Sequence, residues 1–220
     1  MISHKYKCIF IHIPKTAGTS IEQKLGHFKE LHRGVQDHRP ISDIEPISMR
    51  ELARSCLFLD TAALKKQIKK ALTDKKTNLK QCYGTYFKFS FVRNPWARVF
   101  SWYKNVMRDE HHKRRFKVDD NCSYKDFLHK HLDQWELKPQ LYWLLDKEGN
   151  MPLDFVGKFE NLKNDFCFVA NKIGLRDYEL PKLIAGDGQH YARFYDVEME
   201  KLIYTKYKDE IDYFNFRFGE

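Results

Sequence analysis

The sequence predicts an α/β fold whose central, mostly parallel sheet is flanked by helices. Three observations carry that expectation. Cys8 to Ile13 is a continuous apolar run, as expected of a strand buried on both faces. Tyr86 to Val92 and Leu153 to Phe159 alternate in the strand period. A helical pattern follows each of the three, and strands alternating with helices favour parallel pairing.

The elements follow in order. After the first strand, Pro14 to Ser20 is a loop of small residues, and Ile21, Leu25 and Phe28 mark one helix face. Thr19 with Glu22 three residues later matches a capping box, which assigns Glu22 to capping. Gly26 to Pro46 is polar, with His27, His32 and His38, and reads as a loop over the sheet edge. Ser48 to Asp74 reads as helix in one or two pieces. Beyond the second strand, Asn94 is the cap and Pro95 the first residue of a helix through Val106. Ser123 opens another helix to about Leu132, with Asp126 completing its cap. Leu162, Phe166, Val169 and Ile173 form the next helix, stopped by Gly174. A last helix runs from about Val197 to Asp212.

The 220 residues suffice for one well-buried domain, and residues 1–220 are read as one. Lys and Arg number 39 against 30 acidic residues, a net charge of +9. The excess lies in Lys65, Lys66, Lys69, Lys70, Lys75, Lys76 and Lys80, and in Lys113, Arg114, Arg115 and Lys117. Such runs serve as solvated helix faces or attract an anionic substrate or membrane surface. No motif with base-reading geometry accompanies them, which argues against nucleic acid. The five cysteines are scattered without a CxxC pair, so neither zinc nor a disulfide framework is expected. Cys8 to Ile13 is too short to span a membrane and no secretory cleavage pattern is present. A cytoplasmic protein is expected, with the Lys-rich segments as its contact to the inner membrane surface.

Two segments carry the chemistry. In Ile9 to Ser20, IFIHIPKTAGTS, a strand breaks into a loop with one lysine, Lys15, before a helix. Free backbone N–H groups and the positive helix end favour an anion there, and Lys15 adds a full charge. The hydroxyls of Thr16, Thr19 and Ser20 are further candidate ligands. The lysine stands first in this loop, unlike a Walker A sequence, and no kinase catalytic loop is evident. In the second segment, Arg93 leaves a strand end and Ser101 lies about two turns into the next helix. A guanidinium and a hydroxyl can grip one phosphate together. Arg98 either joins them or makes structural bonds. Two such grips on neighbouring strand ends fit a nucleotide phosphorylated at both its 5′ and 3′ positions.

FIHIPKTAGTS and FSFVRNPWARVFSWY resemble the 5′-phosphosulfate loop and the 3′-phosphate motif of sulfotransferases that use 3′-phosphoadenosine 5′-phosphosulfate (PAPS). The carbohydrate type, with the heparan sulfate 2-O- and 6-O-enzymes and many bacterial members (sulfotransferase family 2), is the most similar in style. VGKFENLKNDF and HYARFYDVEMEKLIYTKYKDEIDYFNF resemble its later segments, so the likeness touches the start, middle and end of the chain. It implies a P-loop-like three-layer sandwich, PAPS as donor, 3′-phosphoadenosine 5′-phosphate (PAP) as product, and no metal. Lys15, Thr16, Ala17, Gly18, Thr19 and Ser20 would hold the 5′-phosphosulfate, and Arg93 and Ser101 the 3′-phosphate. The stretch of about 39–85 is longer than in compact members and reads as a helical, Lys-rich insertion on the acceptor side.

Sulfuryl transfer to a hydroxyl requires in-line placement, stabilisation of the leaving phosphate and removal of the acceptor proton. Lys15 is the expected electrophile. The base is His38 or His12. His38 stands in the loop bordering the acceptor with Asp37 beside it, and is ranked slightly ahead; His12, three residues before Lys15, matches the base proposed for the 6-O type. His111, His112, His129 and His131 read as surface or packing residues. His190 to Arg193 form a candidate loop over the adenosine, through Tyr191 or Arg193. The acceptor is expected to be a glycan or glycolipid. The rival readings are a nucleotide or small-molecule kinase, and a non-catalytic basic protein binding nucleotides or polyanions.

Overall fold

The structure is a computed structural model that describes residues 1–28, 35–48, 61–76, 78–181 and 190–220, together with 51, 53 and 57. In chain order the strands are β1 (Ile2–Ser3), β2 (Cys8–Ile11), β3 (Phe87–Val92) and β4 (Phe155–Lys158). Between β2 and β3 lie α1 (Gly18–Lys24), α2 (Ile41–Ile44), α3 (Thr61–Lys76) and α4 (Leu79–Thr85). Between β3 and β4 lie α5 (Pro95–Arg108), α6 (Glu110–Phe116), α7 (Tyr124–His131) and α8 (Leu141–Leu144). Helices α9 (Leu162–Lys172) and α10 (Val197–Phe214) follow.

The sheet order is β1-β2-β3-β4. The β2–β3 and β3–β4 pairs are parallel, and only the short β1, absent from the sequence expectation, pairs antiparallel to β2. Two residues carry no readable periodicity, which is why β1 escapes detection. The expected α/β architecture stands.

All four β2 residues are buried, as a strand covered on both faces requires. Its alternation splits them. Ile9 and Ile11 face a core with Val92, Trp96, Val99, Phe127 and Ile203. Cys8 and Phe10 face a second core with Ile21, Leu25, Phe89, Phe91, Phe166 and Val169. Each fully buried Ile or Phe contributes on the order of 1.5–3 kcal/mol. Cys8, Cys82 and Cys122 are buried and Cys167 is half-buried, all as free thiols, which fits cysteines acting as small apolar side chains. Cys56 lies outside the described residues.

Local signals set most helix ends. Asn94 accepts from Trp96 N at 3.2 Å with Pro95 in the first turn, and Ser123 accepts from Asp126 N at 3.1 Å. Asp196 accepts from Met199 N at 2.8 Å, and Gly174, at φ +71°, ends α9. The capping box expected at α1 does not form: Ala17 is its N-cap and no side chain caps it. Glu22 is turned inward instead, wholly buried. The loop of 26–46 contains α2, whose Ile41 and Ile44 are buried. Part of the expected Ser48–Asp74 helix, and His32, lie outside the described residues. Among the described residues no helix is long and apolar enough to cross a membrane.

Gly157 in β4 packs without slack. A methyl there would sit 2.5 Å from the Phe91 ring and 3.0 Å from Asp165 Cβ. Gly157→Ala should therefore cost roughly 1–3 kcal/mol through overpacking. Urea unfolding should register this as a lower midpoint at unchanged slope; an unshifted midpoint would show that the β4–α9 contact gives way freely.

Candidate functional site

Because β2 and β3 are parallel neighbours, their C-terminal ends lie side by side and both candidate loops leave the same sheet edge. The first loop is strained. Lys15 and Ala17 both take left-handed backbone, at φ 70° and 66°, on either side of Thr16. Left-handed conformation costs a non-glycine residue roughly 1–2 kcal/mol. Alternating backbone of this kind turns successive N–H groups inward as an anion-binding concavity. Thr16 holds the turn: it is fully buried and its hydroxyl donates to Ile13 O at 2.9 Å. That hydroxyl is not offered to a ligand, contrary to the sequence expectation, and only the backbone of Thr16 remains available. Ser20 donates to Pro181 O at 2.8 Å, and Thr19 accepts from Gln36 Nε2 at 2.6 Å.

Lys15 Nζ donates to the neutral amide oxygen of Asn105 at 3.3 Å. Burial, reinforced by the cations of Arg93 and Arg108, pulls this ammonium down to about 8. Three converging positive groups form a field that an anion would relieve.

Arg93 donates from Nη1 to Lys15 O at 3.2 Å, joining the two loops directly, and its guanidinium lies 4.0 Å over the Phe159 ring. Burial lowers it to about 10, and among the described residues its Nε has no hydrogen-bond partner. Its backbone is clamped by the fully buried Gln140, whose Oε1 accepts from Arg93 N at 2.7 Å and whose Nε2 donates to Arg93 O at 2.8 Å. Gln140 also donates to Glu210 Oε1 at 2.9 Å, and burial pushes Glu210 up to about 7 against the pull of Arg98. Glu160 accepts from Asn94 N at 2.8 Å and so fixes the residue after Arg93.

Arg98 is structural. Wholly buried, it donates to Pro14 O, Lys138 O and Glu136 O at 3.2, 3.1 and 2.7 Å, tying the first loop to the 136–138 turn. Ser101 lies on the open side of α5, in line with Asn105 and Arg108, a helical stripe of i, i+4 and i+7.

His12 is buried, its Nδ1 3.2 Å from Glu22 Oε1. Interactions with His12 and the Asp37 N–H (3.0 Å) hold Glu22 below its usual range despite burial, so it is ionised. The His12 ring occupies the space a side chain at Gly18 would need: a Cβ there would come within 1.8 Å of it. His38 lies against it, ring centroids 4.1 Å apart, with Nδ1 3.0 Å from His12 O and Nε2 2.9 Å from Gln36 Oε1. Burial and the neighbouring His12 push His38 down to about 4, which leaves it neutral at physiological pH. Asp37 pairs bidentately with Arg39, at 2.8 and 2.7 Å, rather than with His38.

One cleft of about 2760 Å³ is lined by His12, Lys15, Ala17, Gly18, Thr19, Ser20, His38, Arg93 and Ser101. Ligand pockets commonly occupy roughly 300–1,000 Å³, so a nucleotide and a second substrate can share this one. Tyr191, expected over the adenosine, lines it; Arg193 is exposed and is not part of its wall. His112 also lines it, stacked on Phe116, while His111 and His129 are exposed. Sequence reasoning missed Glu22, Gln36, Asn105, Arg108 and Gln140. The α5 stripe was legible in its spacing; the others act only through contacts distant in sequence.

The family model described as "Sulfotransferase family" matches residues 1–217. An uncharacterized protein of Archaeoglobus fulgidus is 32% identical over 96 residues, 44% of this chain and 74% of that protein. Carbohydrate sulfotransferase 14 of Danio rerio is 25% identical over 111 residues, 40% of this chain but 30% of its own length. No solved structure matches the chain.

The His38 environment sets a pH dependence. An unfolded histidine titrates at about 6.5, whereas folded His38 does so at about 4. Across that window the unfolded state binds the extra proton, so stability falls as pH drops through it. Urea unfolding of wild type and His38→Gln at several pH values should show a steeper acid-side loss in the wild type; parallel curves would contradict the assignment.

Proposed function

This chain belongs to the sulfotransferase family, and from that premise we propose that it moves the sulfuryl group of PAPS to a hydroxyl of a carbohydrate or glycolipid. The observation carrying the reading is the convergence of Lys15, in its strained loop, with Arg93 at the ends of two adjacent parallel strands. The loop amides of 15–20 and the Lys15 ammonium would receive the 5′-phosphosulfate. Arg93 and Ser101 would receive the 3′-phosphate. These residues supply the cationic and N–H donors that the donor's two anionic ends require.

In the reaction the acceptor oxygen forms a bond to sulfur as the bond from sulfur to the 5′-phosphate oxygen breaks. Charge grows on that leaving oxygen, where Lys15 and the loop N–H groups stabilise it. The acceptor proton passes to a histidine. His38 is neutral and lines the cleft; its low basicity would rise with a polyanion bound beside it, and to take the proton one ring nitrogen must give up its contact with His12 O or Gln36 Oε1. His12 has the ionised Glu22 3.2 Å from Nδ1, a charge placed to stabilise the imidazolium that would form. We assign proton abstraction to this paired assembly, with Glu22 as the residue that positions His12.

Residues 39–85 are assigned to the acceptor side. Within them α3 presents exposed Ile68 and Leu72 beside exposed Lys65 and Lys75, a face suited to an anionic membrane surface carrying a glycolipid.

Calorimetry with PAP, ATP and ADP tests the donor. PAP should bind at least 10-fold more tightly than ADP, and Arg93→Ala should abolish that preference. Magnesium-dependent preference for ATP would replace this reading with a kinase, and PAP binding without turnover on any hydroxyl would leave a binding protein. Because bound phosphate would return the Lys15 ammonium above its value of about 8, PAP binding at pH 8 should take up a proton. Titrations in buffers of different ionisation enthalpy would detect it.

For the chemical step, Lys15→Ala should reduce kcat by about 10²–10³, the usual loss for one oxyanion donor. Glu22→Gln should reduce it by about 10²–10⁴, the range for general acid–base catalysis, without weakening PAP binding. Wild-type turnover in His12→Ala and His38→Ala alike would remove histidine from the mechanism.

A further inference from the structure

We propose that Trp135 is the platform of an acceptor subsite that takes a pyranose ring. The proposal rests on the sulfotransferase reading and names the substrate class of the same cleft. Trp135 is 40% exposed and lines the cleft that contains Lys15 and both candidate bases. An indole left open to water at that point is a large apolar surface awaiting a partner.

Its neighbourhood is built rather than loose. Trp135 opens the turn Trp135–Leu137, and contacts on both sides pin that turn. On one side Gln134 accepts from Trp102 Nε1 at 2.7 Å. On the other Leu137 is wholly buried and its carbonyl accepts from Tyr207 Oη at 2.6 Å. Arg98 holds the carbonyls of Glu136 and Lys138 from beneath. The fully buried Trp143 then links the platform to the base. Its ring meets Trp135 edge-on, with centroids 5.5 Å apart, and its Nε1 donates to His38 O at 3.3 Å. The Trp135 and His38 rings are themselves 6.3 Å apart. A group lying on Trp135 is therefore delivered next to His38 with little ordering left to pay, which is how rigid aromatic anchors gain affinity.

The surroundings select the ligand. The cleft around it is also lined by the Gln36 amide, the His38 imidazole and the Glu136 carboxylate, which has Arg115 3.7 Å from it. A pyranose has an apolar C–H face for the indole and hydroxyls around its edge for those donors and acceptors. A phenol offers the indole a ring but only one hydroxyl, and so uses fewer of those donors and acceptors.

Saturation-transfer NMR on the PAP-loaded protein tests this with methyl β-D-glucopyranoside, a glucuronate-containing disaccharide and 4-nitrophenol. At least one sugar should receive saturation from the wild type, and its affinity should fall 10-fold or more in Trp135→Ala but less than 3-fold in Trp135→Phe. PAP affinity by calorimetry should be unchanged in both variants. Equal sugar affinity in Trp135→Ala, saturation of neither sugar, or a preference for 4-nitrophenol would each overturn the subsite. Failure of the wild type to bind PAP would instead overturn the donor assignment, and the sugar measurement can then be repeated without it.

Discussion

The parallel pairing of Cys8–Ile11 with Phe87–Val92 is the constraint on which the site depends. Side-by-side parallel strands must release their chains at the same edge, so two segments some 80 residues apart meet there without any further device. The Arg93-to-Lys15 hydrogen bond is the local consequence. Because both faces of β2 are buried, its register cannot slip without turning Phe10 and Ile11 into the wrong cores. The apolar packing of the sheet therefore also sets the position of the charged groups above it.

Around that edge the protein sustains several unfavourable local states together. Two non-glycine residues hold left-handed backbone, a lysine and an arginine converge, and a carboxylate and a histidine are buried as a pair. Strain and converging like charge persist only where surrounding structure over-determines them. Thr16, Arg98, Gln140 and Glu160 provide that determination through hydrogen bonds to backbone atoms. The side chain of none of the four needs to touch a substrate. They form a frame that lets the cleft-facing side chains stay in positions they would not choose alone.

The two halves of the cleft differ in character. The side near Arg93 and α5 is cationic, with Ser101, Asn105 and Arg108 in one stripe, and suits phosphate. The side near His38 is aromatic and polar, with Trp135 supported by Trp143. Two environments in one opening match a reaction between a polyanionic donor and a hydroxyl-bearing acceptor, with Lys15 and the histidines where they meet.

The order of the three longer strands, the caps at Asn94 and Ser123, and the two candidate anion-binding segments were legible in the sequence, because each arises from neighbouring residues acting through periodicity or turn chemistry. The family likeness rests on those same contiguous segments. Glu22 was misread, since a glutamate three residues after a threonine is locally a cap. Only folding brings His12 from the strand and Asp37 from a later loop within reach of its carboxylate. Gln140 and Trp135 gave no local signal either, because a lone glutamine or tryptophan takes its meaning from what lies across a cleft. Short-range geometry is written along the chain; the pairing of Glu22 with His12 and the placing of Trp135 in the cleft arise from contacts between separate segments, and the tertiary structure alone decides them.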